Sequence, residues 1–121
     1  MRNLTLLIAI CGSALAAQGL RDGDALLSDA RLSAELPGAT HEFFDGGKST
    51  FSFGEAYSYT YPDGGVALGR YELRPGGTVC TFFVHGFERC DTYVESGERL
   101  VLINEEGVRF PVRQVTLGRE P

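Results

Sequence analysis

The sequence predicts a mainly β domain: a small antiparallel up-and-down meander of about eight strands, closed or nearly closed into a barrel, with one short helix ahead of it. Three observations carry this. Glycines punctuate the chain at a steady interval, at Gly46-Gly47, Gly54, Gly64-Gly65, Gly76-Gly77, Gly86, Gly97 and Gly107, and spacings of about 8 to 12 residues mark short strands joined by tight turns. The runs between the glycines are rich in aromatic and β-branched residues, which suit a pleated surface. Sequential strands also leave two open edges unless the sheet closes, and an up-and-down barrel removes both.

Residues 1–16 read as a secretory signal peptide, with Arg2 before the apolar run Leu4 to Leu15 and Ala14-Leu15-Ala16 as a small-x-small cleavage site. The run is too short to span about 30 Å of hydrocarbon, and no later segment approaches the roughly 20 apolar residues a span needs. A rival reading makes Cys11 the acylated first residue of a lipoprotein; Ile10 opposes it, because such sites carry a small residue before the Cys. The acceptor pattern Asn3-Leu4-Thr5 leaves with the signal. Cleavage after Ala16 leaves 105 of the 121 residues, one domain's worth, and the expected location is periplasmic or secreted, with no membrane insertion. Losing Arg2 and no acid takes the net charge from −5 to −6. The remaining cations are scattered, which excludes the basic footprint of a nucleic-acid or anionic-membrane binder.

Residues 17–38 form an N-terminal segment with the helix. Leu26, Leu27, Ala30, Leu32 and Leu36 recur near helical spacing after a possible Asp24 cap, and Pro37-Gly38 ends the run. Residues 39–121 form the β domain, with strands expected at 39–44, 48–53, 55–61, 66–74, 78–84, 87–95, 99–104 and 108–117. Asp45-Gly46, Asp63-Gly64, Pro75-Gly76 and Ser96-Gly97 supply turn residues that tolerate positive φ. At about eight strands the interior is filled by side chains or holds one small ligand, and the helix could lie across one mouth. Pro111 cannot donate to a ladder, so the last strand should be an edge, bulged or broken there, which keeps an open sheet or two-sheet sandwich in play.

With Cys11 removed, Cys80 and Cys90 are an even pair in an exported chain, expected to be bonded. Gly86 suits the left-handed third position of a three-residue hairpin loop, Val84 to Gly86. Phe83 then closes the loop against Phe87. Counting outward, Phe82 faces Glu88, Thr81 faces Arg89, and Cys80 faces Cys90 as a non-hydrogen-bonded pair within disulfide reach.

Tyr57, Tyr59 and Tyr61 alternate along one strand and share a face. They are candidate binding residues, a stripe with amphipathic tips, or a β-forming ladder with hydroxyls reaching water. The clusters Phe43-Phe44, Phe51/Phe53 and Phe82/Phe83/Phe87 are the expected core of a chain without Trp. His85 and Phe87 join the candidate binding residues because they sit at or beside the hairpin tip.

Catalytic constellations are sparse. His41 and His85 belong to no metal-spaced pair, and no nucleophile elbow, phosphate loop or dinucleotide fingerprint occurs. Glu88, Asp91 and Glu95 lie near Arg89 and Arg99, which reads as solvated ion pairing. No cofactor, metal or catalytic residue is expected.

At Tyr57-Ser-Tyr-Thr-Tyr-Pro-Asp-Gly, Gly69-Arg-Tyr and Cys80…Arg89-Cys90-Asp91, the chain resembles small exported β-rich proteins, mostly of alphaproteobacteria. The resemblance covers about residues 26–117 and implies an export signal, a β fold and a Cys80–Cys90 bridge, with no active site. A looser similarity to calycins, the lipocalin and avidin class, rests on strand count. The expected function is non-enzymatic: a barrel holding a small apolar or amphipathic ligand, or binding a protein partner. The alternative is an inhibitor-type protein that contacts a periplasmic or secreted enzyme through the braced hairpin Val84 to Phe87. A small enzyme is the third class. Whether the interior is filled or hollow separates the first two.

Overall fold

The computed structural model describes residues 19–119; the expected signal at 1–16, Cys11 included, lies outside them. The elements are β1 (Asp24–Leu26), α1 (Asp29–Glu35), β2 (Ala39–Phe43), β3 (Lys48–Phe51), β4 (Ala56–Thr60), β5 (Val66–Arg74), β6 (Thr78–Phe83), β7 (Glu88–Ser96), β8 (Arg99–Ile103) and β9 (Arg109–Leu117). Consecutive strands from β2 to β9 pair antiparallel, and β9 returns to pair with β2. The eight strands therefore close into a barrel, with β1 added outside the ring. Each falls where the glycine-bounded runs place it, within two residues at either end.

The N-terminal segment differs from expectation. Asp24 caps no helix: Asp24–Leu26 pairs with Val94–Ser96 of β7, and Ser28 is the cap, its hydroxyl accepting from the Arg31 amide at 3.1 Å. The reason is a better use of both backbone and charge. β7 has nine residues, β6 covers it only from Glu88 to Thr92, and β1 extends the same side across the remainder. The Asp24 carboxylate meanwhile takes both terminal nitrogens of Arg109, at 2.7 and 3.0 Å. A bidentate pair with its carboxylate buried outweighs one extra helical turn.

Pro111 does not break closure. Asn104 and Val108 close the β8–β9 hairpin, so Ile103/Arg109 is a non-hydrogen-bonded pair, Leu102/Phe110 a hydrogen-bonded one, and Val101/Pro111 again non-hydrogen-bonded. The proline nitrogen thus points away from β8. On its other side pairing with β2 begins only at Val112, followed by a bulge where Arg113 has no opposite number. The proline sits where β9 changes partners and no ladder bond is asked of it.

The barrel has two unlike ends. At one, α1 lays Leu32 and Leu36 over the opening, and with Leu27 they join Phe51, Tyr57, Tyr71, Val79, Tyr93, Leu102 and Val112 in a continuous core. Each such side chain is worth about 1.5–3 kcal/mol on burial. A smaller apolar cluster of Val94, Val101 and Ile103 lies on the outer wall under Leu20. At the other end stand four hairpins built alike. Phe43/Gly47, Tyr61/Gly65, Phe83/Phe87 and Asn104/Val108 each close a three-residue loop, with Gly46, Gly64, Gly86 and Gly107 in third place. Those glycines have φ of 94°, 99°, 102° and 83°, the left-handed region this loop demands. The geometry anticipated for Val84 to Gly86 is therefore repeated around the whole rim.

Candidate functional site

Cross-strand register fixes which face of β7 looks inward, because Val79, in the core, stands opposite Asp91. Cys80 pairs with Cys90 in register, Cα atoms 4.0 Å apart, and the two are bonded. Cys80 is buried on the opposite face of β6 from Val79 and Thr81. Its partner therefore leaves Arg89, Asp91 and Tyr93 to alternate into the barrel, so two charges enter a chain interior.

Above them the rim encloses a cup of about 430 Å³. Its wall is aromatic: Phe43 stands edge-on to Phe110, with ring centres 6.5 Å apart, and Tyr59 edge-on to Tyr61 at 4.9 Å. His85 stacks nearly parallel on Phe83 at 5.4 Å, and Phe87 follows at 6.0 Å. Leu102 and Arg89 line it deeper, and Asp45 sits exposed at the edge. Gly47 permits this wall, because a Cβ there would collide with the Tyr59 hydroxyl.

Four of the five candidate binding residues thus meet in one place: Tyr59, Tyr61, His85 and Phe87. Tyr57 is not with them. It is buried one layer below, its hydroxyl 2.8 Å from the Ser49 hydroxyl rather than in water. The tyrosine stripe therefore runs from core to rim, structural at Tyr57 and open at Tyr61. His85 lies exposed at the tip and its Nδ1 accepts from the Phe87 amide at 3.4 Å, which fixes the ring against Phe83. The phenylalanine clusters divide in the same way: Phe43 and Phe51 are buried, whereas Phe44, Phe53 and Phe87 are exposed. Adjacent strand residues point to opposite faces, so Phe43 and Phe44 cannot share one core. Phe44 instead carries the Arg99 guanidinium 5.0 Å above its ring.

Of the charges on and beside β7, Glu88 and Arg99 are exposed, but Asp91 is buried and Arg89 half-buried. Arg89 Nε lies 3.0 Å from Asp91 Oδ2, with the Asp91 side chain 3 % exposed. The contact is an ion pair, and Arg89 Nε and Asp91 Oδ1 have no hydrogen-bond partner among the described residues. The same holds for the Tyr93 hydroxyl and Thr81 Oγ1. Burial pushes the Asp91 carboxyl up to about 6, against the pull of Arg89. Glu95 and Arg99 belong elsewhere: Glu95 bonds Arg31 at 2.7 Å and Arg99 donates to the Val112 carbonyl. His41 is buried near the helix-capped end, edge-on to Phe51 and Tyr93, and burial takes it down to about 4.

A second cavity, about 550 Å³, lies between α1 and β9, with Leu36, Phe53, Val115 and Leu117 in its walls. Its one cation among the described residues, Arg31, is already held by Glu35 and Glu95, which leaves no uncommitted cation to orient a ligand. The mouth cup joins apolar rings to an incompletely satisfied charge, so it is the stronger site. Among the described residues no three His, Cys, Asp or Glu side chains gather as metal ligands, and no helix is long and apolar enough to cross a membrane. No protein-family model, curated protein or solved structure matches this chain.

Proposed function

We propose that the protein is an exported, non-enzymatic binding barrel that takes one small amphipathic molecule in its open mouth. The observation that supports this most strongly is the cup itself: about 430 Å³, aromatic on its walls, with Arg89 at its floor. The core below is filled and α1 caps the far end, so the ligand enters between the four hairpins and stops at Arg89. Rings supply apolar contact at little cost in side-chain freedom, while the deep polar group sets orientation. The Cys80–Cys90 bond braces the hairpin that carries Phe83, His85 and Phe87, and suits an oxidising compartment. Chemical-shift mapping with 4-phenylbutan-1-ol tests this. Shifts should saturate and concentrate at Tyr59, Phe83, His85, Phe87 and Phe110; shifts confined to the cavity beside α1 would overturn it.

A second reading, contact with a protein such as a secreted enzyme through the hairpin tip, is favoured by one feature. Val84 is 83 % exposed, and its amide donates to the carbonyl of exposed Leu68, so apolar side chains gather at the tip. In that case His85→Ala weakens partner binding at unchanged stability.

A further inference from the structure

We propose that the ligand's polar end is a carboxylate seated on the Arg89 guanidinium, and that it enters the cup together with one proton, which Asp91 carries. This rests on the reading of the cup as a binding site.

Among the described residues Arg89 is the only Lys or Arg lining the cup. Its Nε faces Asp91 Oδ2 at 3.0 Å as an ion pair, and its two terminal nitrogens carry four further N–H donors. Two parallel N–H groups match one planar carboxylate. A dianionic phosphate would need more positive charge than one arginine already shared with an aspartate. The opposite choice, a cationic head in an aromatic cage, draws on Asp45. That carboxylate is exposed at the rim, where water and salt screen it, whereas Arg89 acts from a half-buried position in lower dielectric. Repulsion from the floor therefore exceeds attraction at the rim.

Asp91 decides when Arg89 is free. Ionised, it is the resident counter-ion; a second carboxylate on the same guanidinium places two anions together, which favours protonation of one. Asp91 is the one to take the proton, since burial already raises it to about 6 and its Oδ1 has no partner among the described residues. The proton comes from solvent, and no covalent bond changes. The groups facing Asp91 are Arg89 and Tyr93 on its own strand, Tyr57 on β4 and Glu105 in the β8–β9 loop. The tyrosines stay neutral through this range, and Glu105 also favours the protonated form.

Calorimetric titration with 4-phenylbutyrate, 4-phenylbutan-1-ol and 4-phenylbutylammonium at pH 5.5, 6.5, 7.5 and 8 tests the proposal. At pH 5.5 the carboxylate should bind at least about tenfold tighter than the alcohol, and the ammonium weakest. Carboxylate affinity should fall about tenfold per pH unit above about pH 6, with one proton taken up per ligand, while the alcohol stays level. Asp91→Asn should hold the carboxylate at its pH 5.5 affinity throughout. Arg89→Gln, or Arg89→Gln with Asp91→Asn should the single variant fail to fold, should erase the preference for carboxylate and keep the alcohol. Equal binding of carboxylate and alcohol, or tighter ammonium, overturns the carboxylate and leaves the cup. Binding by none of the three overturns the cup and the carboxylate with it.

Discussion

Removing the Asp91 carboxylate should expose a pH dependence that the native protein hides. Two buried groups titrate with opposite sign. His41 falls from 6.5 unfolded to about 4 folded, so its share of stability is complete above pH 6.5 and is lost as pH falls through 4. Asp91 rises from 3.8 to about 6, so its share is complete below pH 3.8 and is lost as pH rises through 6. Each shift spans roughly two units, on the order of 3 kcal/mol, with a slope of about 1.4 kcal/mol per pH unit. Between pH 4 and 6 the slopes oppose and the native protein should be nearly flat. In Asp91→Asn the His41 slope stands alone, and stability should drop by about 3 kcal/mol from pH 6.5 to 4. In His41→Leu the Asp91 slope stands alone, and stability should drop as pH rises from 4 to 6. Urea unfolding at four pH values, compared as slopes rather than absolute stabilities, reads this directly. An Asp91→Asn profile as flat as wild type would refute the buried placement of these two groups.

Asp24 is held down to about 2, chiefly by the Arg109 hydrogen bonds, with its side chain 1 % exposed. Asp24→Asn should therefore cost about 2 kcal/mol at pH 7 and nothing at about pH 1.5, since that contribution is lost as pH falls through 2. Gly86→Val should cost about 1–3 kcal/mol, because φ is 102° and a β-branched residue is strained there although the space is open. His85→Ala should change melting little; damage equal to Gly86→Val would show the tip packed rather than exposed. Intact mass before and after alkylation should find no free thiol at Cys80 and Cys90, and reduction should cost roughly 2–3 kcal/mol for so short a loop; two free thiols would remove the bridge.

The strands were legible because each lies between turn residues that have few alternatives. The hairpin register was legible because two cysteines and one glycine over-determine it. β1 was not: three residues carry no periodicity, and Leu26 and Leu27 read as easily into a helix. Its true determinants are remote, the uncovered end of β7 and the guanidinium of Arg109. The site was half legible. Tyr59, Tyr61, His85 and Phe87 stood out as aromatics at a strand end and a loop. Arg89 and Asp91 read as surface charges in the sequence, since alternation tells which residues share a face but not which face is inside. The pairing with β6 holds the missing information: Val79 packs in the core opposite Asp91, so Asp91 and its alternate neighbour Arg89 turn inward.

The chain has no tryptophan, so a single indole introduced at the cup reports on it alone. Two variants, Tyr61→Trp at the mouth and Val66→Trp on the exposed end of β5, should be titrated with 4-phenylbutan-1-ol and followed by fluorescence. A binding barrel predicts a saturable change in the Tyr61→Trp variant, with one molecule bound per chain, and no change in the Val66→Trp variant. Unsaturable or equal responses in the two variants would contradict it.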